Sequence, residues 1–152
     1  MKLANYSTHF VGKWDAGMVT PMHTPQGRGY DTSLNYFTHK NDYFTQIEMQ
    51  SSCPASLNIR DLWATDQPAY GLNGTQYEEF LFLDAITDII QSHDPAQPLF
   101  LFYTPHVAHC PLQVPAYQYN NFSFMTDDES ECSQQTPYIY PGFNGTYKCR
   151  QA

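Results

Sequence analysis

Basic residues are scarce in this 152-residue chain: seven Lys and Arg stand against fifteen Asp and Glu, a net charge of −8. That balance argues against nucleic acid as a partner, because phosphate binding needs clustered cations and these are scattered. Scarcity also gives weight to any cation found where an anion could bind. No run of about 18 apolar residues exists, so no membrane-crossing helix is expected. The opening MKLANYSTHF lacks the three-part pattern of a signal peptide. No C-x-x-C pair suggests a structural zinc.

What is present fits a globular domain. Hydrophobic residues make up 41% and aromatics 16%, and the length suits one domain with a core rather than two large ones. Four N-x-S/T sequons occur, at Asn5, Asn73, Asn121 and Asn144. Cys53, Cys110, Cys132 and Cys149 are either buried thiols or two disulfides in one of three pairings. Sequons and cysteines together point to the secretory pathway, extracellular or lysosomal. With no export signal in the chain, the expectation is a segment of a longer protein.

Residues 6–14, YSTHFVGKW, are rich in aromatic and β-branched types and read as a strand. The following AGMVTPMHTPQGRGYDT holds two Pro and three Gly and reads as a loop with several turns. Residues 33–50 show no period, and 51–76 read as irregular with a short strand pair. Thr75 and Glu78 fit a capping box at a helix start. Phe80, Leu83, Ile86 and Ile90 then recur at helical spacing to about residue 92, and Pro95 and Pro98 end the helix. LFLFYT, residues 99–104, is continuously apolar, as for a strand covered on both faces. Helix, short turn and buried strand indicate an α/β fold. The tail from about residue 115 is rich in Tyr, Asn, Ser and Pro, with an acidic run at Asp127, Asp128, Glu129 and Glu131.

Ligands of open α/β sheets gather beyond the carboxyl ends of the strands. The first strand delivers Lys13 and Asp15 there, and the second delivers His106 and His109. A lysine supplies a compact positive charge and a histidine a proton donor near neutrality. Their convergence would suit an anionic, tetrahedral group. The plainer reading is a lysine snorkelling to water and histidines bonding within loops.

The stretches YSTHFVGKWDAGM, HTPQGRGYDT and PLFLFYTPHVAHCPLQVP, in this order, resemble the sulfatase family, in particular arylsulfatases of the B type. The resemblance runs over residues 3–118, with gaps in 45–70, and leaves 119–152 unassigned. It implies an alkaline-phosphatase-like fold: a central, mostly parallel sheet flanked by helices, of which residues 1–152 form part of the catalytic domain. It further implies hydrolysis of sulfate esters of sugars or aryl alcohols, with a formylglycine nucleophile and a bound Ca²⁺. Lys13 takes the position of a lysine that binds a sulfate oxygen. His109 takes that of a histidine that contacts sulfate and helps protonate the leaving alcohol. Gly12, Gly17, Arg28 and Gly29 match backbone-shaping positions.

The chain departs from the family pattern in three places. The family has histidine where Asp15 stands. Asp15 could accept a hydrogen bond from the formylglycine hydrate or orient Lys13; alternatively His23 or His39 could supply the histidine's function. No C/S-x-P-S-R motif is present: Cys53 is followed directly by Pro54, position 57 is Leu57, and the stretch lies after the Lys13 strand, so Cys53 is not the nucleophile. The family's metal-binding residues fall outside the matched stretches, so no metal ligands are assigned, and Asp127 and Asp128 read as a solvated loop. Two rival functions keep part of this picture. One is a phosphoesterase of the same superfamily; the other is a degenerate sulfatase-like glycoprotein that only binds sulfated glycans.

Overall fold

The computed structural model describes residues 1–48, 59–109, 113–119 and 138–139. The four cysteines, Asn121, Asn144 and the acidic run from Asp127 to Glu131 lie outside the described residues. Two compact units divide the chain, Met1–His106 and Val107–Ala152.

In the first unit, β1 (Ser7–Lys13), β2 (Thr32–Tyr36), β3 (Leu62–Ala64), β4 (Gln67–Pro68) and β5 (Leu99–Thr104) form one sheet in the order β4-β3-β2-β1-β5. β1 runs parallel to both neighbours, with Val11 opposite Leu34 on β2 and Tyr103 on β5. β3 and β4 complete the sheet as an antiparallel hairpin, the short strand pair expected within 51–76. Two 3₁₀ turns, Pro21–His23 and Gln26–Arg28, carry the chain from β1 to β2.

β2 falls where the sequence shows no period, and its burial explains why. Ser33, Leu34, Asn35 and Tyr36 are all buried, so neither face alternates with water. Within the polar pair the Ser33 hydroxyl donates to Asn35 Oδ1 at 2.8 Å, while Asn35 Nδ2 is buried without a hydrogen-bond partner among the described residues.

One helix, α1 (Glu78–Ser92), covers a sheet face. Leu81 and Phe82 pack with Val11, Leu34, Tyr36 and Leu62, joined by Ala85, Ile86 and Ile89. The expected apolar stripe is thereby corrected: Leu83 and Ile90 are each 57% exposed, and the buried face is offset from theirs. The capping box does not form either. The helix starts at Glu78, with no side-chain cap, and the Thr75 hydroxyl turns back to Leu72 O. Glu78 is drawn away by stronger partners: its carboxylate accepts from Asn41 Nδ2 and meets His106 Nδ1, while its N–H donates to Tyr43 O.

β5 is also less covered than its composition suggested. It borders β1 alone in the order of the sheet, and Phe102 is 48% and Tyr103 39% exposed. In the second unit, β6 (Gln113–Val114) pairs in parallel with β7 (Tyr138–Ile139), and α2 (Ala116–Tyr119) follows β6. No helix among the described residues is long and apolar enough to cross a membrane.

Candidate active site

The carboxyl end of β1 is built by backbone constraints. Gly12 has φ 109°, and a Cβ there would lie 1.9 Å from Thr104 O of β5; only glycine allows the two strands to approach so closely. The Thr104 hydroxyl then donates to Lys13 O at 2.7 Å, and Trp14 N–H donates to Tyr36 O at 2.9 Å. The Trp14 indole N–H reaches Gly17 O and His23 O, at 2.9 and 2.8 Å, folding the next loop back over the strand end. Between these anchors Asp15 sits in the left-handed region at φ 46°, a conformation Asp tolerates better than most residues.

Three side chains meet there. Lys13 Nζ lies 3.5 Å from Asp15 Oδ2. His39 Nδ1 lies 3.3 Å from that same oxygen and 3.3 Å from Lys13 Nζ. The Lys13 side chain is 18% exposed, whereas Asp15 and His39 are about half exposed, at 49% and 51%. His39 is positioned by Asp61, whose carboxylate accepts from the Phe37 and Thr38 N–H groups at 3.0 and 2.9 Å and from the Thr38 hydroxyl. Burial pushes the Asp61 carboxyl above its ordinary range, and these three donors pull it back. A groove of about 660 Å³ opens beside the cluster, lined among others by Asp15, Phe37, His39, Arg60 and Trp63. A hollow of about 630 Å³ lies along Phe10, Lys13, Trp14, Arg28, Tyr30 and Phe102.

The other sequence candidates fall differently. His106 is not a pocket residue: it is 1% exposed. Its Nδ1 lies 2.9 Å from Glu78 Oε2, and its ring stacks on Tyr43 with centroids 3.9 Å apart. Its N–H donates to Glu79 Oε1 and its carbonyl accepts from the Tyr43 hydroxyl. Such a residue holds the end of β5 to the start of α1. Desolvation pushes the Glu78 carboxyl well above the usual range, so it can keep a proton and share it with the imidazole. His109 is half-buried at the start of the second unit. His23 bonds the Thr20 hydroxyl at 2.8 Å, so of the two loop histidines it is His39 that joins Lys13 and Asp15.

Sequence reading missed Asp31 and Asp61, which organise the loops around the site. Asp31 accepts from Thr8 N–H and the Thr8 hydroxyl and pairs with Lys2; the Lys2 bond is the first cause holding its carboxyl below the ordinary range. The R-G-Y-D turn, already singled out for Arg28 and Gly29, was the available signal. Among the described residues no three His, Cys, Asp or Glu side chains gather to hold a metal. The calcium that the resemblance implies finds no ligand set there, and Asp15 is already engaged with Lys13 and His39.

Comparison with known proteins matches residues 1–144 to the Sulfatase family profile. Arylsulfatase J of Mus musculus is 31% identical over 122 residues, covering 80% of this chain and 20% of that protein. The crystal structure of Ps i-CgsB in complex with k-i-k-neocarrahexaose superposes with a TM-score of 0.65 at 24% identity, over 87% of this chain and 30% of that one. A second crystal structure of Ps i-CgsB gives 0.64 at 24% identity over 86% of this chain. The chain thus spans about a fifth of its curated relative and three-tenths of these structures.

Proposed function

This chain belongs to the sulfatase family, and on that premise we propose that it forms part of an enzyme hydrolysing sulfate esters of a sugar or an aryl alcohol. The observation that carries the reading is Lys13, a largely buried ammonium at the carboxyl end of a parallel strand flanked by parallel neighbours, where such sheets bind ligands. Water replaces the alcohol on sulfur, giving alcohol and sulfate. Lys13 offsets the charge of the sulfate oxygens, and His109, by its place in the family motif, passes a proton to the departing alcohol oxygen. The nucleophile and metal ligands belong, in this reading, to other parts of the complete protein.

The finer assignment is an arylsulfatase-type site, supported by the B-type likeness of the motifs and by identity to mouse arylsulfatase J. A sulfated oligosaccharide is the natural first test substrate, since one structural neighbour is described with neocarrahexaose bound. We also place the complete protein in the secretory pathway. Asn5 is an exposed acceptor, whereas the Asn73 amide donates inward to Ala69 O.

The complete protein should be assayed on an aryl sulfate, a sulfated oligosaccharide and an aryl phosphate. Sulfate release supports the proposal. Turnover of the phosphate alone favours the phosphoesterase, and glycan binding without turnover favours the degenerate sulfatase.

A further inference from the structure

We infer that the groove past the carboxyl end of β2 is a sugar-binding subsite, taking a neutral pyranose ring of the glycan whose sulfate Lys13 holds. This rests on the sulfatase reading above and narrows its substrate class to saccharides.

The groove, of about 660 Å³, has the size of a small-ligand site. Asp15 borders it, and Lys13 Nζ lies 3.5 Å from that carboxylate. The lysine thus stands just outside the groove, one side chain away. Consecutive rings of one glycan fill two such neighbouring places.

The walls match the two chemistries of a sugar. A pyranose has apolar C–H faces and a rim of hydroxyls that both donate and accept. For the faces there are Phe37 and Trp63, both half-buried, with ring centroids 5.7 Å apart and planes inclined at 59°. They form a corner rather than a stack, and a ring seated in it removes apolar surface from water. Asp61 fixes the corner by accepting from the Phe37 N–H at 3.0 Å, and Trp63 is set in β3 opposite Asn35.

For the rim, three groups have no partner among the described residues: the Trp63 indole N–H, the Arg60 guanidinium and the Glu48 carboxylate. Trp14 shows the contrast, since two carbonyls already take its indole N–H. Glu48 and Arg60 lie on paired segments, with Glu48 N–H donating to Ile59 O at 2.8 Å, yet their side chains form no ion pair. One donor and one acceptor are left open, and their charges cancel. The other carboxylates of the groove are already met, Asp15 by Lys13 and His39, Asp61 by three donors. A neutral polyhydroxyl ring suits that balance, whereas a second sulfate would face Glu48.

The test is made on the complete protein. kcat/KM is measured for a sulfated oligosaccharide and for an aryl sulfate, which offers the groove no sugar. Trp63→Ala and Arg60→Ala should each lower the ratio of the first to the second about tenfold, the size of one lost contact. The loss should fall on KM, as for binding made equally in ground and transition states. Where the oligosaccharide alone is turned over, its KM replaces the ratio. Where Trp63→Ala fails to fold, the exposed Arg60 decides alone. Values within twofold of the parent, or turnover of aryl sulfates alone, overturn the subsite and leave the sulfatase reading standing.

A complete protein inert on sulfate esters overturns the sulfatase reading. The subsite is then judged by affinity electrophoresis through gels of neutral glucan, galactan and mannan. Retardation that either variant relieves supports it. Free migration in every gel, or retardation that both variants keep, overturns it.

Discussion

Asp15 combines three properties seldom found together: a positive φ, partial exposure and two nitrogen partners. Its replacement by His separates two accounts of the position. Histidine also tolerates left-handed backbone, so the fold should survive. If Asp15 holds Lys13 and His39 in register, Asp15→His leaves both without their anion, and kcat/KM of the complete enzyme should fall. A rise would instead show a histidine site damaged by substitution. Lys13→Ala should lower kcat/KM by about ten- to a hundredfold, equivalent to about 1.5–3 kcal/mol. At this scale the sequence was informative for Lys13, whose rarity as a cation and motif context marked it. It was not informative for His106, since a histidine after an apolar strand looks alike whether it faces a pocket or a buried glutamate. Nothing local in the chain announces that Glu78, 28 residues earlier, is its partner.

The elements were legible where buried residues are apolar and obscure where they are polar. β1, α1 and β5 carry apolar content that survives any register, and they form close to where composition placed them. β2 stayed hidden because Ser33 and Asn35 are buried with Leu34 and Tyr36, so period-2 alternation vanishes. The helix start was misread because Glu78 satisfies tertiary partners instead of its own turn. Two predictions follow from that junction. Glu78→Gln keeps a donor for His106 Nδ1 and an acceptor for Asn41, and should cost about 1 kcal/mol or less, whereas Glu78→Ala should cost about 1–3 kcal/mol for each partner it strands. The pH dependence has a definite sign. The unfolded carboxyl loses its proton near its ordinary value of about 4.3, while the buried one holds it higher. Across that window the folded chain binds more protons, so this contribution to stability falls as pH rises. Glu78→Gln should flatten that slope in urea titrations at successive pH values. At the other end of the sheet, Gly12→Ala would drive a Cβ into Thr104 O. A loss on the order of 3 kcal/mol or more is expected in the urea midpoint.

At the scale of the whole chain, the aromatic face of β1 and β5 dominates. Phe10, Trp14 and Tyr30 contact one another edge-on, and Phe100 and Phe102 extend the cluster along β5. The purified 152-residue chain should therefore bind a dye such as ANS, measured by fluorescence, as exposed apolar patches do. It should release no sulfate from an aryl sulfate, because the sequence holds no C/S-x-P-S-R; measured turnover would refute that. The sheet order has a further consequence, in time rather than space. β1 is synthesised well before β5, and their pairing joins Ser7 to Leu99 and Gly12 to Thr104. Parallel pairing across such a separation is slow, since the long loop must close before any contact rewards it. On the ribosome β1 must wait for β5 to emerge before this pairing can form. Whatever shields β1 in the interval, a chaperone or a neighbouring stretch of the nascent chain, sets the yield of folded protein.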